Sequence, residues 1–136
     1  MVWKLTLALG LMAVCVSIHT AGVTCALRWL RATPPAPSLW SGTRLLIRLA
    51  AWIILLHLVA ILTWGLCYTW TGALPDIQTA VYFSAVTYTT TGYGDLTLPE
   101  PWRLVGGVEA LTGILMCGLS TGFFFAVLSR LYQVRD

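Results

Sequence analysis

The chain has 136 residues, of which 58% are hydrophobic and only 10% are Asp, Glu, Lys or Arg. A soluble domain carries about 25% charged residues, so this composition argues against a soluble enzyme. It also argues against a nucleic-acid binder, which presents a basic, wettable surface, whereas the formal charge here is only +3. A mean hydropathy of +0.82 at this length points instead to one membrane domain.

Three stretches carry no Asp, Glu, Lys or Arg: Leu5 to Leu27, Leu49 to Pro75 and Ala110 to Ser129. Each reaches the roughly 20 residues that a helix needs to cross a bilayer. The sequence therefore predicts an all-α membrane protein with three spans. The first, within residues 1–27, has a competing reading as a signal segment, since Lys4 precedes an apolar run. His19-Thr20-Ala21 makes a poor cleavage site, however, and a transmembrane helix is the better reading. Residues 28–44 read as a linker, broken by Pro34, Pro35 and Pro37 and then by Ser41-Gly42-Thr43.

The few charges orient the spans. Arg28, Arg31, Arg44 and Arg48 lie between the first two stretches with no acid, and Arg130 and Arg135 follow the third. The segment between the second and third holds Asp76, Asp95, Glu100 and Arg103. The positive-inside rule places the first loop and the C-terminus in the cytoplasm, and the N-terminus and the 76–103 segment outside. A multi-pass protein of the plasma (inner) membrane is expected. Trp3, Trp29, Trp40, Trp64, Trp70 and Trp102 fall near the expected boundaries, as an aromatic belt would. Trp52 lies deeper, as a packing residue.

The connection between the second and third spans is unusual. Leu74-Pro75-Asp76 reads as a helix start, with Pro and an acid in the first turn, and predicts a short helix over 76–88. It is too short to cross a bilayer and too apolar for an exposed loop. Thr89-Thr90-Thr91-Gly92-Tyr93-Gly94-Asp95 comes directly after it. A half-helix descending and an extended strand returning would make a re-entrant loop, tolerated at membrane depth only where buried or lining a wet pore. Gly92 and Gly94 allow alternating signs of φ, so successive carbonyls can point to one side. Four such strands around an axis stack rings of oxygens that replace the hydration shell of a potassium ion. The negative C-terminal ends of four short helices would favour a cation there. Thr90 can add its hydroxyl as the innermost ring, and Tyr93 is expected to turn back against Tyr82 and Phe83.

The run Thr90-Thr91-Gly92-Tyr93-Gly94-Asp95 resembles the selectivity-filter signature of potassium channels, commonly Thr-Val-Gly-Tyr-Gly-Asp. The run from Tyr82 to Asp95 is similar to the pore helix and filter of the small bacterial members of that superfamily. The resemblance covers residues 45–132: outer helix, pore helix 76–88, filter 90–95 and inner helix. It implies a homotetrameric pore in a lipid bilayer, with K+ as the permeant ion, held by the backbone carbonyls of Thr90, Thr91, Gly92, Tyr93 and Gly94 and the Thr90 hydroxyl. It implies no enzymatic activity, no cofactor and no nucleic acid. Residues 1–44 lie outside it. Thr91 stands where Val is commonest, and Val86 where some members carry a Glu behind the filter.

Several residues then acquire expected roles. Asp95 closes the filter mouth and is expected to brace it through a hydrogen bond to a pore-helix side chain. Glu109, an intramembrane carboxylate, is expensive unless used; it could brace the back of the pore helix, in place of the acid missing at Val86, or sit neutral among packing residues. Gly113 matches the family's hinge position on the inner helix. Gly118 and Gly122 form a small-residue pair for helix packing, Gly106 and Gly107 would let the inner helix approach the pore helix, and Phe123 to Phe125 could form a constriction. His19 and His57 read as separate, hydrogen-bonded interior histidines, able in principle to sense pH but too far apart in sequence for a metal pair. The four cysteines show no metal spacing, and no Arg run enters a span as a voltage sensor requires. A weakly selective monovalent-cation channel and a non-conducting subunit of a larger assembly are the alternative functions.

Overall fold

The computed structural model describes residues 2–33 and 38–133. It contains four α-helices: α1 (Val2–Ala32), α2 (Leu39–Trp70), α3 (Ile77–Tyr88) and α4 (Arg103–Gln133), the last preceded by a 3-10 turn over Glu100–Trp102. Three segments, Val2–Ala32, Leu39–Trp70 and Glu100–Leu131, are long and apolar enough to span a membrane. The described residues thus form an all-α multi-pass arrangement of two membrane-length helices, a short helix and a third membrane-length helix.

The linker is shorter than 28–44. α1 runs on through Arg28 and Arg31 to Ala32, and α2 already begins at Leu39. The expectation missed a capping box. Ser38 accepts from the Ser41 N–H at 3.3 Å, and the Ser41 hydroxyl accepts from the Ser38 N–H at 3.1 Å. These bonds satisfy donors that a helix start leaves open, so Ser41-Gly42-Thr43 starts a helix instead of breaking one. Pro34, Pro35 and Pro37, as well as Arg135, lie outside the described residues.

α1 and α4 run side by side in the same direction, with α2 antiparallel. At one end the Lys4 ammonium lies 4.3 Å from the centroid of the Trp102 ring, which also meets Trp3 edge-on at 5.6 Å. At the other end Arg130 Nη1 donates to the Leu30 carbonyl at 2.6 Å. A guanidinium on the last carbonyls of α1 both fills orphan acceptors and opposes the negative helix end. Along the length, the Trp52 indole N–H donates to the Gly22 carbonyl at 3.1 Å.

The apolar contacts form two clusters. One gathers Ala8, Cys15, Trp64, Tyr68, Phe83, Tyr88, Val105 and Met116 around α3, and the other joins Ala26, Leu30, Leu49, Ile53, Phe123 and Val127 towards the far end. α1 contributes to both. Trp64 is fully buried in the first cluster, which corrects its expected place in an aromatic belt. Trp3, Trp29, Trp40 and Trp70 are exposed on the chain surface. Phe123 is likewise buried, while Phe125 faces outward from the chain. Of the Phe123–Phe125 run, only Phe125 is on a free face of α4.

Glycines set the closest approaches. A Cβ at Gly113 would lie 1.8 Å from the carbonyl oxygen of Tyr88, and one at Gly65 would lie 2.9 Å from Val81. Gly113 thus has a packing reason to be glycine, and α4 is helical throughout at this point. Gly118 and Gly122 meet nothing within 4 Å in the chain itself. Replacing Gly113 with Ala is expected to destabilise the protein by about 1–3 kcal/mol or more through overpacking. Gly10→Ala, on an exposed helix face with open space around it, should be neutral or stabilising by about 0.5–1 kcal/mol. Thermal unfolding of both variants in detergent checks the contrast.

Candidate functional site: a half-helix and its extended return

α3 begins at a strong cap. The Asp76 carboxylate accepts from the Thr79 N–H at 2.9 Å and from the Thr79 hydroxyl at 2.7 Å. Asp76 is the N-cap itself, and Pro75 stands just outside the helix. The Thr79 backbone N–H, aided by its hydroxyl, holds the Asp76 carboxyl below its ordinary value.

α3 lies between α2 and α4 and ends at Tyr88. Helix ends leave carbonyls without intrahelical partners. Here the chain folds back to supply them: Thr89 N–H donates to Ala85 O at 3.2 Å, Thr90 N–H to Thr87 O at 2.9 Å, and Gly92 N–H to Val86 O at 3.2 Å. The Thr89 hydroxyl adds a second donor to Ala85 O at 2.7 Å and lies 2.9 Å from the Thr91 hydroxyl. Val at position 91 would have no atom for that last contact.

Beyond this anchor the backbone is unusual. φ is +58° at Thr90, +55° at Gly92 and +77° at Gly94. Positive φ therefore falls on every second residue. The two glycines adopt it without steric cost. Thr90 does not, because a Cβ there crowds the backbone at a cost of about 1–2 kcal/mol, and its residue type carries no hint of it. Thr90, Thr91, Gly92, Tyr93, Gly94 and Asp95 are all exposed on the single chain. An ordered, extended segment with alternating φ thus lies open at the tip of a half-helix.

Side chains hold the segment to α3. The Tyr82 hydroxyl donates to Asp95 Oδ2 at 2.6 Å, which pins the far end of the extended run to the helix face beside it. Phe83 does not join Tyr82 there. Its ring is buried edge-on against Tyr68 at 5.5 Å, on the side of α2 and α4. Adjacent helix residues point about 100° apart, so the expectation that both aromatics meet Tyr93 is corrected. Tyr82 is on the outer side, and Phe83 anchors the helix from behind. Tyr93 itself is 72% exposed.

Behind α3 lies the most buried polar cluster. Glu109 is fully buried. Its Oε2 accepts from the Tyr68 hydroxyl at 2.7 Å, and its Oε1 meets the Ser84 hydroxyl, which also lies 2.8 Å from the Ile61 carbonyl. Ser84 has one hydrogen. The Ser84 hydroxyl is placed to donate that hydrogen to Glu109 Oε1 or to the Ile61 carbonyl. Both carboxyl oxygens of Glu109 are thus matched by hydroxyl donors, Tyr68 on Oε2 and Ser84 on Oε1. The cluster ties α2, α3 and α4 at one point. Val86, on the same helix as Ser84, has no part in it.

His19 and His57 do not stand alone. Each places Nε2 3.1 Å from the Ser120 hydroxyl, and their ring centroids are 5.0 Å apart. His57 Nδ1 is 3.1 Å from the Tyr88 hydroxyl. At 1.5 Å per residue, His19 and Ser120 lie about 26 Å, and His57 about 20 Å, from the same-side ends of their helices. Counting depth along antiparallel spans is the signal that finds the cluster; sequence separation hides it.

Glu109→Gln keeps the side chain's shape and one acceptor oxygen, and should cost less stability than Glu109→Ala. Glu109→Ala leaves Tyr68 and Ser84 without partners and opens a cavity, at a cost of about 2–5 kcal/mol. Equal losses in the two variants would show that the amide meets neither hydroxyl. Because the folded value of Asp76 is depressed, its contribution is complete above about pH 4 and is lost as pH falls through the folded value. Thermal melts across acidic pH should show that loss in the native chain and not in Asp76→Asn.

A family model described as "Ion channel" matches residues 56–130, more than half of the chain. Among curated proteins, the Potassium voltage-gated channel protein Shal of Drosophila melanogaster is 38% identical over 60 residues, which cover 43% of this chain and 10% of that protein. The chain thus spans far less than the length of that relative. No solved structure matches.

Proposed function

We propose that this chain, which belongs to the ion-channel family, conducts K+ passively through a pore made by four copies of itself. The observation that carries the reading is the run Thr90–Asp95, with positive φ at residues 90, 92 and 94 and both ends tied to α3. In that geometry the carbonyls of Thr90, Thr91, Gly92, Tyr93 and Gly94 can be turned to one side. One copy supplies one strand of oxygens, and four are needed to replace a hydration shell. The exposure of the whole run on the single chain, and the apolar free face of α4 at Leu111, Ile114, Leu115, Leu119 and Phe125, favour such an assembly.

The negative end of α3 points towards the start of the run and favours a cation there. Asp95, held by Tyr82, stands at the outer mouth, and Glu109 with Ser84 and Tyr68 braces the half-helix from behind. Gly113 serves as the hinge by which α4 opens the pore below Tyr88. Gly118 and Gly122 pack against a neighbouring copy, and Phe125 closes the lower path. The Arg-rich ends of α1 and α2 face the cytoplasm, and the Asp76–Glu100 side faces outward.

Reconstitution of the purified chain in vesicles, followed by bi-ionic reversal potentials in K+ and Na+, tests the reading. The expected result is a cross-linked tetramer with a reversal potential set by K+. A reversal potential near zero would indicate a weakly selective cation pore. Absence of flux from a verified tetramer would overturn conduction and leave a subunit of a larger assembly. Tyr82→Phe, which frees Asp95, is expected to weaken K+ selectivity or shorten conduction without dissociating the tetramer.

A further inference from the structure

The cluster at Ser120 is full in one protonation state and overfull in the other. Ser120 Oγ lies 2.9 Å from the Met116 carbonyl and 3.1 Å from each histidine Nε2. A hydroxyl offers one hydrogen and two lone pairs. The hydrogen goes to the carbonyl, which only accepts. Both imidazoles must then donate through Nε2–H, which fixes the same neutral tautomer in each. His57 Nδ1 is left as an acceptor, and the Tyr88 hydroxyl donates to it at 3.1 Å. His19 is only 2% exposed, and its Nδ1 has no partner among the described residues.

A further proton therefore has two places to go. On His57 Nδ1 it reverses the bond to Tyr88, whose hydroxyl must turn from donating to accepting and so gives up the acceptor of its own hydrogen. On His19 Nδ1 it becomes a buried N–H with no acceptor. Either site puts a charge beside a second imidazole whose centroid is 5.0 Å away. The other titratable groups nearby are Cys15 from α1, Cys117 and Glu109 from α4, and Tyr88 from α3. None is a carboxylate within hydrogen-bond distance of either ring, so nothing in the cluster compensates an added charge. His57 is half-buried, but His19 is enclosed, so relief at His19 requires water to enter between α1 and its neighbours.

Tyr88 connects this event to the proposed filter. It is the last residue of α3, it stands two residues before Thr90, and its carbonyl oxygen rests against Gly113. Its hydroxyl is held by His57 and its backbone by α4. A change in His57 is thus delivered to the end of the half-helix, and the partner histidine comes from α1, the helix outside the ion-channel match of residues 56–130.

We propose that His19, His57 and Ser120 form a proton-binding site joining α1 to the pore helix, whose occupation loosens α1 and releases Tyr88, so that acid shifts the pore away from the conformation described here. The effect on conduction rests on the proposed channel function; the proton site and the loosening of α1 do not.

Two readouts test it on the full chain in vesicles. Imidazole NMR signals tracked from about pH 8 to pH 5, with hydrogen exchange of α1 amides, read the site without conduction. The expected result is titration of the histidines in that window, with α1 protection, taken relative to the intrinsic exchange rate at each pH, falling in acid and this fall lost in the His19→Gln/His57→Gln double variant. Flux is expected to change by about 5- to 150-fold over the same range and to become pH-independent in His57→Gln. Tyr88→Phe should keep the imidazole titration and lose the flux response, an outcome that mere structural damage does not produce. Histidines that stay neutral throughout, or α1 protection in the double variant that keeps its full pH response, would overturn the proposal. A chain that conducts at no pH would overturn the channel reading alone, and the exchange data would then decide the proton site.

Discussion

A helix that ends beside other helices instead of in water must find hydrogens for its last carbonyls. α3 ends at Tyr88, alongside His57 and about 20 Å from the nearer end of α2. The carbonyls of Ala85, Val86 and Thr87 take them from Thr89, Gly92 and Thr90. This requirement dictates the path of the chain beyond α3. To donate upward, the chain must double back at once, and doing so places Thr90 in a left-handed conformation. The unusual backbone of the run is in this sense a consequence of terminating the helix with the chain's own donors.

The same constraint explains the cluster behind α3. A half-helix of 12 residues is too short to be stable through its own hydrogen bonds. It is held by packing, with Val81 against Gly65 and Phe83 against Tyr68, and by the buried bonds of Ser84 to Ile61 and Glu109. A buried carboxyl in an apolar setting costs free energy unless every polar atom is matched. At Glu109 both oxygens are matched, by Tyr68 and by Ser84. Such a network contributes position more than raw stability, since an unmatched shift along α3 would leave three polar groups without partners at once.

The long apolar runs and the Asp76 start are legible in the sequence because their signals are local: absence of charge, and a capping residue ahead of an apolar stretch. Gly92 and Gly94 are legible for the same reason. α2 extends further into the linker than expected because the Ser38–Ser41 capping box starts it at Leu39, a local signal that Pro37 and Gly42 mask in the sequence. Phe83, Trp64 and Phe123 point elsewhere than expected because helix phase decides their direction, and an evenly apolar helix shows no phase in its sequence. Glu109 is recognisable as costly, but its partners lie 41 and 25 positions away in sequence. Thr90 carries no signal, since its φ is imposed by the bonds on either side of it.

The first helix answers to both demands, matched polar groups and close packing. An apolar helix that served only as a membrane anchor would need contacts of shape alone with α2 and α4. α1 instead brings a histidine to a hydroxyl at the centre, receives an indole N–H at Gly22 and accepts an arginine on its last carbonyls. In an apolar medium, where lipid competes equally for hydrophobic contact, such polar bonds and close packing carry helix association. They also make it specific, because each bond fixes a depth and a rotation. The Gly22 carbonyl and His19 are one turn apart, so the two contacts together fix the register of α1 on α2 and α4. α1 is therefore a docked structural element of this fold, and its docking is sensitive to whatever alters the hydrogen bonds at Ser120.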